Sequence, residues 1–189
     1  MAAAENQCIV LLGPPGSGKG TQAALLAADL SVPAISTGDM LRQAVENGSE
    51  LGGTVKGVMA AGELVGDELM AEVVRERLAM DDTQHGFLLD GYPRTASQAL
   101  TLDEILERRS VGLDHVLFID APEPVLVARA LDRRRADDVR EVIEERLRVY
   151  RAKTQPLVNG YRQRGLLREI EGNHSVQRVA SSILEAIQG

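Results

Sequence analysis

The sequence predicts an α/β fold with a central parallel sheet flanked by helices, and three observations carry that prediction. Short runs rich in β-branched residues alternate with longer segments of helical periodicity, the pattern of strand–helix–strand units. Of the 189 residues, 44% are hydrophobic and 26% charged, a balance that supports one compact domain with a substantial core. The first strand candidate runs straight into a Gly- and Pro-rich turn and then a helix. No fixed-period repeat, low-complexity tract or domain boundary interrupts the chain, so 1–189 is expected to form a single domain. Aromatic residues are only 3% and Trp is absent, so the core has to be built from Leu, Val, Ile and Ala.

The elements follow in order. Cys8 to Leu12 forms a buried strand, ended by the stretch Gly13 to Gly20. A helix follows, with Ala23, Leu26, Ala27 and Leu30 on one face. Pro33 and Ile35 belong to a short second strand before a helix that starts near Thr37 and turns Leu41 and Val45 inward, with Asp39 in its first turn favoured by the helix dipole. The next stretch carries Gly48, Gly52, Gly53, Gly57, Gly62 and Gly66 among Val55, Val58, Met59 and Ala60, and reads as a short, mobile helical insertion. Glu68 to Met80 is helical, Phe87 to Leu89 is a third strand ending at Asp90, and Ala96 to Arg109 is helical. Val116 to Ile119 makes a fourth strand, followed by helices over Pro124 to Arg133 and from Val139 to Tyr150, the latter extending toward Tyr161. Leu166 to Ile170 is the last strand and Val176 to Ile187 the closing helix.

Composition excludes several classes of function. A formal net charge of −7 argues against a nucleic-acid binder, although a local arginine cluster can still bind a small anion. The only cysteine, Cys8, sits in an apolar run as a small strand residue, which rules out an internal disulfide and a multi-cysteine zinc site. No apolar run approaches the ~20 residues that span a bilayer, and Met1 to Gln7 lacks the charge and apolar stretch of a secretory signal. The expectation is a cytoplasmic protein that engages neither membrane nor nucleic acid.

Gly13-Pro14-Pro15-Gly16-Ser17-Gly18-Lys19-Gly20-Thr21 follows a strand and opens a helix, the context of a phosphate-binding loop. Small residues let backbone N–H groups converge on phosphate oxygens, the helix N-terminus adds its dipole, and Lys19 brings charge to the outer phosphates. The general motif places Ser or Thr directly after Lys. Here Gly20 intervenes and the hydroxyl comes at Thr21, which weakens direct transfer of the usual magnesium-ligand role. The spacing does not match a dinucleotide fingerprint.

Gly18-Lys19-Gly20-Thr21-Gln22 resembles the adenylate kinase family, and three further motifs agree in order. They are Ser36-Thr37-Gly38-Asp39-Met40-Leu41-Arg42, Phe87-Leu88-Leu89-Asp90-Gly91-Tyr92-Pro93-Arg94, and Arg135-Ala136-Asp137-Asp138 with Arg146 beyond. The resemblance runs from Ile9 to the final helix. It implies a P-loop kinase fold that carries a mobile monophosphate-binding insertion, about 36–65, and a lid over ATP. Asp132 to Arg135 run directly into Ala136 and Asp137, which leaves no room for a β-rich lid domain. The resemblance is therefore to the short-lid form, with a lid of about 132–138 and no zinc. The implied activity is reversible, magnesium-dependent transfer of a phosphoryl group from ATP to AMP, giving two ADP, by a monomer. A UMP/CMP kinase, and a nucleotide-binding sensor without catalysis, are the alternatives.

Bringing two polyanionic nucleotides together demands cations that offset their repulsion, and the planar arginine fork suits phosphate oxygens. Between Arg129 and Arg151 stand eight arginines against six acids, a basic stretch in an acidic chain. Arg140, Arg148 and Arg151 read as surface ion-pair residues. Similarity to the family selects Arg42, Arg94 and Arg146 for the monophosphate and Arg133 for the ATP phosphates. It also sets Arg135 between the nucleotides and Arg129 against the ATP adenine, and it assigns Gly16, Ser17, Gly18, Lys19, Gly20 and Thr21 to the ATP phosphates. The acceptor is already an anionic phosphate, so no general base is needed. His85 and His115 read as loop or surface residues, and His174 falls in a loop the family uses near the ATP base.

Asp90 ends a strand beside the phosphate-loop strand and is assigned to magnesium through bound water, with a turn or capping acid as the alternative. Two accounts fit Asp137 and Asp138: pairing with lid arginines, or capping the helix near Val139. On the acceptor side, Gly91 adjoins Arg94, and Thr37 resembles the adenylate-selective pattern where the pyrimidine kinases carry alanine. The Gln98 amide can both donate to and accept from an adenine edge. Glu63, Leu64 and Val65 match the segment that frames the monophosphate base, with a plain inter-helix turn as the alternative.

Overall fold

β1 (Gln7–Leu12) lies at the centre of a five-stranded, all-parallel sheet. β3 (Gly86–Asp90) and β4 (His115–Asp120) flank it, with β2 (Ala34–Ser36) and β5 (Leu167–Glu171) at the edges, giving the order β2-β3-β1-β4-β5. The computed structural model describes residues 7–135 and 137–188, so Ala136 of the lid reading, residues 1–6 of the N-terminal reading and Gly189 lie outside the described residues. No described helix is long and apolar enough to cross a membrane.

Alternation along β1 splits the core into two layers. Cys8, Val10 and Leu12 face one way, together with Phe87 and Leu89 of β3, onto α4 (Asp67–Leu78), α5 (Ala96–Arg108) and α8 (Pro156–Gln163). Ile9 and Leu11 face the other way, with Leu88, Leu117 and Ile119, onto α1 (Lys19–Leu30) and α9 (Val176–Gln188). Both faces are covered, which is why the strands read as continuous apolar runs. A smaller cluster joins Leu126 and Ala130 of α6 (Glu123–Asp132) to Ile143 and Leu147 of α7 (Arg140–Val149).

After β2 come α2 (Thr37–Glu46), the helix expected from Thr37, and α3 (Glu50–Ala60), the short helix expected of the glycine-rich stretch. Ser36 caps α2 through the Asp39 N–H, and Ser49 caps α3 through the Gly52 N–H at 3.1 Å. Gly52 is there for packing: a Cβ on it would stand 2.0 Å from the Ala44 carbonyl oxygen, so the two helices close only around a bare backbone.

Three readings need correcting. His115 is not a loop residue but the first of β4, half-buried. The strand is pinned one residue earlier, where the Cys8 N–H donates to Asp114 at 2.7 Å. The helix from Val139 does not run on regularly; α7 ends at Val149 and a π-helical turn, Tyr150–Thr154, leads into α8. The side chains of Asp137 and Asp138 do not cap α7, since Val139 is its N-cap residue and the helix start has no side-chain cap.

Candidate active site

The phosphate loop leaves β1 at the carboxyl edge of the sheet. Sheet order makes this a switch point, because the chain continues to β3 on one side of β1 and to β4 on the other. Gly16 holds a positive φ of 86°, and a Cβ there would lie 2.2 Å from the Leu126 carbonyl oxygen, so only glycine lets α6 pack against the loop. α1 starts at Lys19 with no side-chain cap, and the Gln22 N–H is its first helical donor, to Gly18 at 3.1 Å. The N–H groups of its first turn are therefore open to an anion.

Lys19 reaches back over the loop. Its Nζ donates to the carbonyls of Gly13 at 2.7 Å and Pro14 at 2.9 Å. Desolvation lowers its pKa from 10.5 to about 8, against the opposing pull of Asp90 and with help from Arg94 and Arg133. Asp90 ends β3 in register with Leu11 and Ser36, and a Cβ on Gly20 would lie 3.7 Å from its Oδ2, so the carboxylate faces the start of α1. The buried Thr37 hydroxyl donates to the Asp90 carbonyl at 3.3 Å.

Arg94 is held on all sides. Its Nε donates to the Gly91 carbonyl at 2.7 Å, its N–H to Gln98 Oε1 at 2.8 Å, and its carbonyl accepts from the Thr154 hydroxyl at 2.9 Å. Burial lowers its pKa, with Arg146 and Arg42 adding like charge and Asp90 opposing. The π-helical turn is what carries Thr154 into reach of Arg94.

Arg42, Arg133, Arg135 and Arg146 are paired with aspartates. Arg133 forks onto Asp138 through Nε at 2.9 Å and Nη2 at 2.7 Å. Arg146 pairs with Asp137 and lies 3.5 Å from Asp138. Arg42 and Arg135 share Asp39, the latter at 3.3 Å across 96 residues of sequence, which links the lid segment to α2. Burial alone would raise the Asp138 carboxyl, but hydrogen bonds from Arg133 and the Arg135 N–H hold it below the usual carboxylate range. Arg129 donates to the Gly172 carbonyl at 2.9 Å, which ties α6 to the loop after β5, and Gln22 to the Val176 carbonyl at 3.0 Å, which ties α1 to the start of α9. Exposed His174 sits in that loop, 3.2 Å from Glu171. Arg140, Arg148 and Arg151 make exposed pairs with Glu144, Glu145 and Glu123.

All the site residues read from the sequence line a single cavity of about 700 Å³. The sheet order separates its ends: Thr37, Arg42, Glu63, Leu64, Val65, Gly91 and Gln98 belong to the side of β2 and β3, Arg129 and His174 to the side of β4 and β5. Sequence reasoning missed Thr154 and Asp67. Asp67 Oδ1 accepts from Gln98 Nε2 at 2.8 Å, and its Oδ2 from the Thr95 hydroxyl at 3.0 Å. No local pattern signals either contact, because the partners lie 60 and 31 residues apart.

A phosphate-binding loop at a sheet switch point, opening onto one cavity that arginines also line, is the arrangement of a P-loop nucleotide-binding protein. The adenylate kinase family model matches residues 11–166. The chain is 44% identical over 183 residues to an adenylate kinase of Leptospira biflexa, covering 95% of this chain and 98% of that protein. It is 46% identical over 184 residues to one of Thermobifida fusca, covering 95% and 97%. Adenylate kinase 1 of Synechocystis is 44% identical over 180 residues, covering 95% and 96%. The chain belongs to the adenylate kinase family.

Proposed function

We propose that this chain transfers the terminal phosphoryl group of ATP to AMP, reversibly, giving two ADP. The observation that carries the reading is one cavity lined by two cationic seats. One seat is Lys19 with the open first turn of α1, facing Arg133; the other is Arg42, Arg94 and Arg146. The fixed loop and lysine hold the donor phosphates, and the enclosed Arg94 orients the acceptor phosphate. Arg135, between Asp39 and Arg133, offsets charge that builds on the transferring oxygens. No residue has to remove a proton, because the acceptor oxygen is already anionic. Arg129 and His174 flank the donor base, while Leu64, Val65 and Gln98 frame the acceptor base. The short lid, about 132–138, and the α2–α3 pair cover the cavity and exclude water, so that transfer to AMP outruns hydrolysis.

The donor set near Asp90 fits magnesium: a single hard carboxylate facing the loop leaves most of a six-oxygen shell to water and phosphate. Asp90 would hold the ion through water, and the ion supplies neutralisation of phosphate charge. The protein works as a monomer in the cytoplasm on ATP, AMP and ADP. The test is a coupled assay that offers ATP with AMP, UMP or CMP. AMP should lead by roughly tenfold or more in kcat/KM, the scale of one unpaired buried polar group. A better rate with UMP or CMP overturns the acceptor assignment.

A further inference from the structure

We propose that Asp67, which does not line the nucleotide cavity, fixes which way round the Gln98 amide faces and so makes the acceptor site prefer a 6-amino purine to a 6-oxo purine. The inference rests on the reading of Gln98 as the group that meets the acceptor base. Gln98 is 2% exposed, in the first turn of α5, where the Thr95 hydroxyl accepts its N–H at 3.1 Å. Its side chain is clamped at both ends. Oε1 accepts from the Arg94 N–H at 2.8 Å and Nε2 donates to Asp67 Oδ1 at 2.8 Å. A backbone N–H can only donate and an ionised carboxylate can only accept, so this orientation is dictated rather than arbitrary.

A primary amide has two N–H donors and two oxygen lone pairs. With Arg94 and Asp67 served, one donor and one lone pair remain, in a fixed order, for the cavity. An adenine edge presents the ring N1 acceptor and the exocyclic amino donor, which match that pair. A 6-oxo purine presents N1–H and a carbonyl oxygen, the reverse order. Meeting it would require the amide to turn over. Its NH₂ would then face the Arg94 N–H, and its oxygen the Asp67 carboxylate. Both contacts would be repulsive in a buried place.

Asp67 is the first residue of α4 and directly follows Leu64, Val65 and Gly66. Its other oxygen takes the Thr95 hydroxyl at 3.0 Å, so both carboxylate oxygens are occupied by the start of α5. It therefore joins the segment that frames the acceptor base to the amide that reads it. Asp67 is a positioning residue that acts through Gln98.

The test measures kcat/KM for AMP and for IMP, its 6-oxo counterpart, at saturating ATP in the unmodified protein, Asp67→Ala and Asp67→Asn. The unmodified protein should favour AMP strongly. Asp67→Ala should narrow the AMP-to-IMP ratio by roughly tenfold, the scale of one buried polar contact, mostly through a higher KM for AMP. The KM for ATP should stay within about twofold, the spread expected of a distant site. Asp67→Asn should narrow the ratio too, because its own NH₂ can face an overturned Gln98 oxygen. It also keeps the shape of the side chain should the alanine variant fail to fold. A structural role alone would lower both substrates together, and an unchanged ratio in the folded variants overturns the assignment of Asp67. So does an unmodified protein that does not discriminate AMP from IMP. Preference for UMP or CMP in the unmodified protein is a different result, and it sinks the acceptor reading itself.

Discussion

Replacing Lys19 by methionine should remove catalysis while leaving stability almost untouched. The ammonium donates to the Gly13 and Pro14 carbonyls at 2.7 and 2.9 Å, yet burial drops its pKa from 10.5 to about 8. A drop of that size disfavours the charged form by about 3–4 kcal/mol, at ~1.4 kcal/mol per unit. Methionine removes that penalty together with two hydrogen bonds, and each carbonyl left unpaired costs about 1–3 kcal/mol unless water reaches it. The opposing terms are similar in size, so unfolding free energy should move by no more than about 2 kcal/mol. Turnover has no such compensation, because a charge aimed at the transferring oxygens is lost, and it should fall at least ~100-fold. Urea unfolding followed by circular dichroism, run beside a coupled assay of ADP formation, reads both quantities. A folded Lys19→Met protein with near-normal turnover would refute the catalytic role. Destabilisation of about 3–5 kcal/mol or more would instead mark Lys19 as a structural cation, since a broken buried charge pair costs that much.

Two further outcomes follow from the same geometry. Because the Lys19 pKa of about 8 lies below its ordinary 10.5, the amine is mostly neutral at pH 8.5, and bound phosphates favour its charged form. ATP binding at pH 8.5 should therefore take up roughly three-quarters of a proton at Lys19, and at pH 6.5 almost none there, as calorimetry in buffers of different ionisation enthalpy would show; equal uptake at both pH values would contradict this. Thr154→Val keeps the side-chain shape but strips the buried donor from the Arg94 carbonyl, which should cost about 1–3 kcal/mol. At ~2–4 °C per kcal/mol this is visible as a lower Tm, with a raised KM for AMP and an unchanged KM for ATP; an unaltered Tm and AMP KM would contradict it.

Most of the scaffold was legible because its signals are local. β1, the loop and α1 follow from an apolar run, glycines and a lysine within a few turns of chain. Arg42, Arg94 and Arg146 stand within motifs that the family resemblance supplies. What was not legible depends on residues distant in sequence. The Gln98 amide looks free on paper, but Asp67 and Arg94 occupy half of its hydrogen-bonding capacity. Thr154 is an ordinary helix residue until the wide turn at Tyr150–Thr154 brings it to Arg94. The glycines in and around α3 suggest looseness. One of them, Gly52, instead marks the closest approach of two backbones, and composition cannot distinguish those uses. His115 was misjudged because a polar residue at a strand's first position carries no periodicity of its own.

The aspartates around the lid give the cleft built-in counter-ions. Arg42, Arg133, Arg135 and Arg146 are matched by Asp39, Asp137 and Asp138, so four positive charges carry only one in excess. On the proposed function, a phosphate arriving there would perform an ion exchange with a tethered carboxylate instead of shedding dissolved anions. Few mobile ions are released in that exchange, so added salt should weaken binding less than four bare cations would suggest. The exchange also sets an entry threshold. Chloride or a lone carboxylate gains too little from displacing a chelating partner, whereas a polyphosphate engages several forks at once. In this way a protein of net charge −7 carries a cationic receptor that is masked to ordinary anions and opens to multivalent ones.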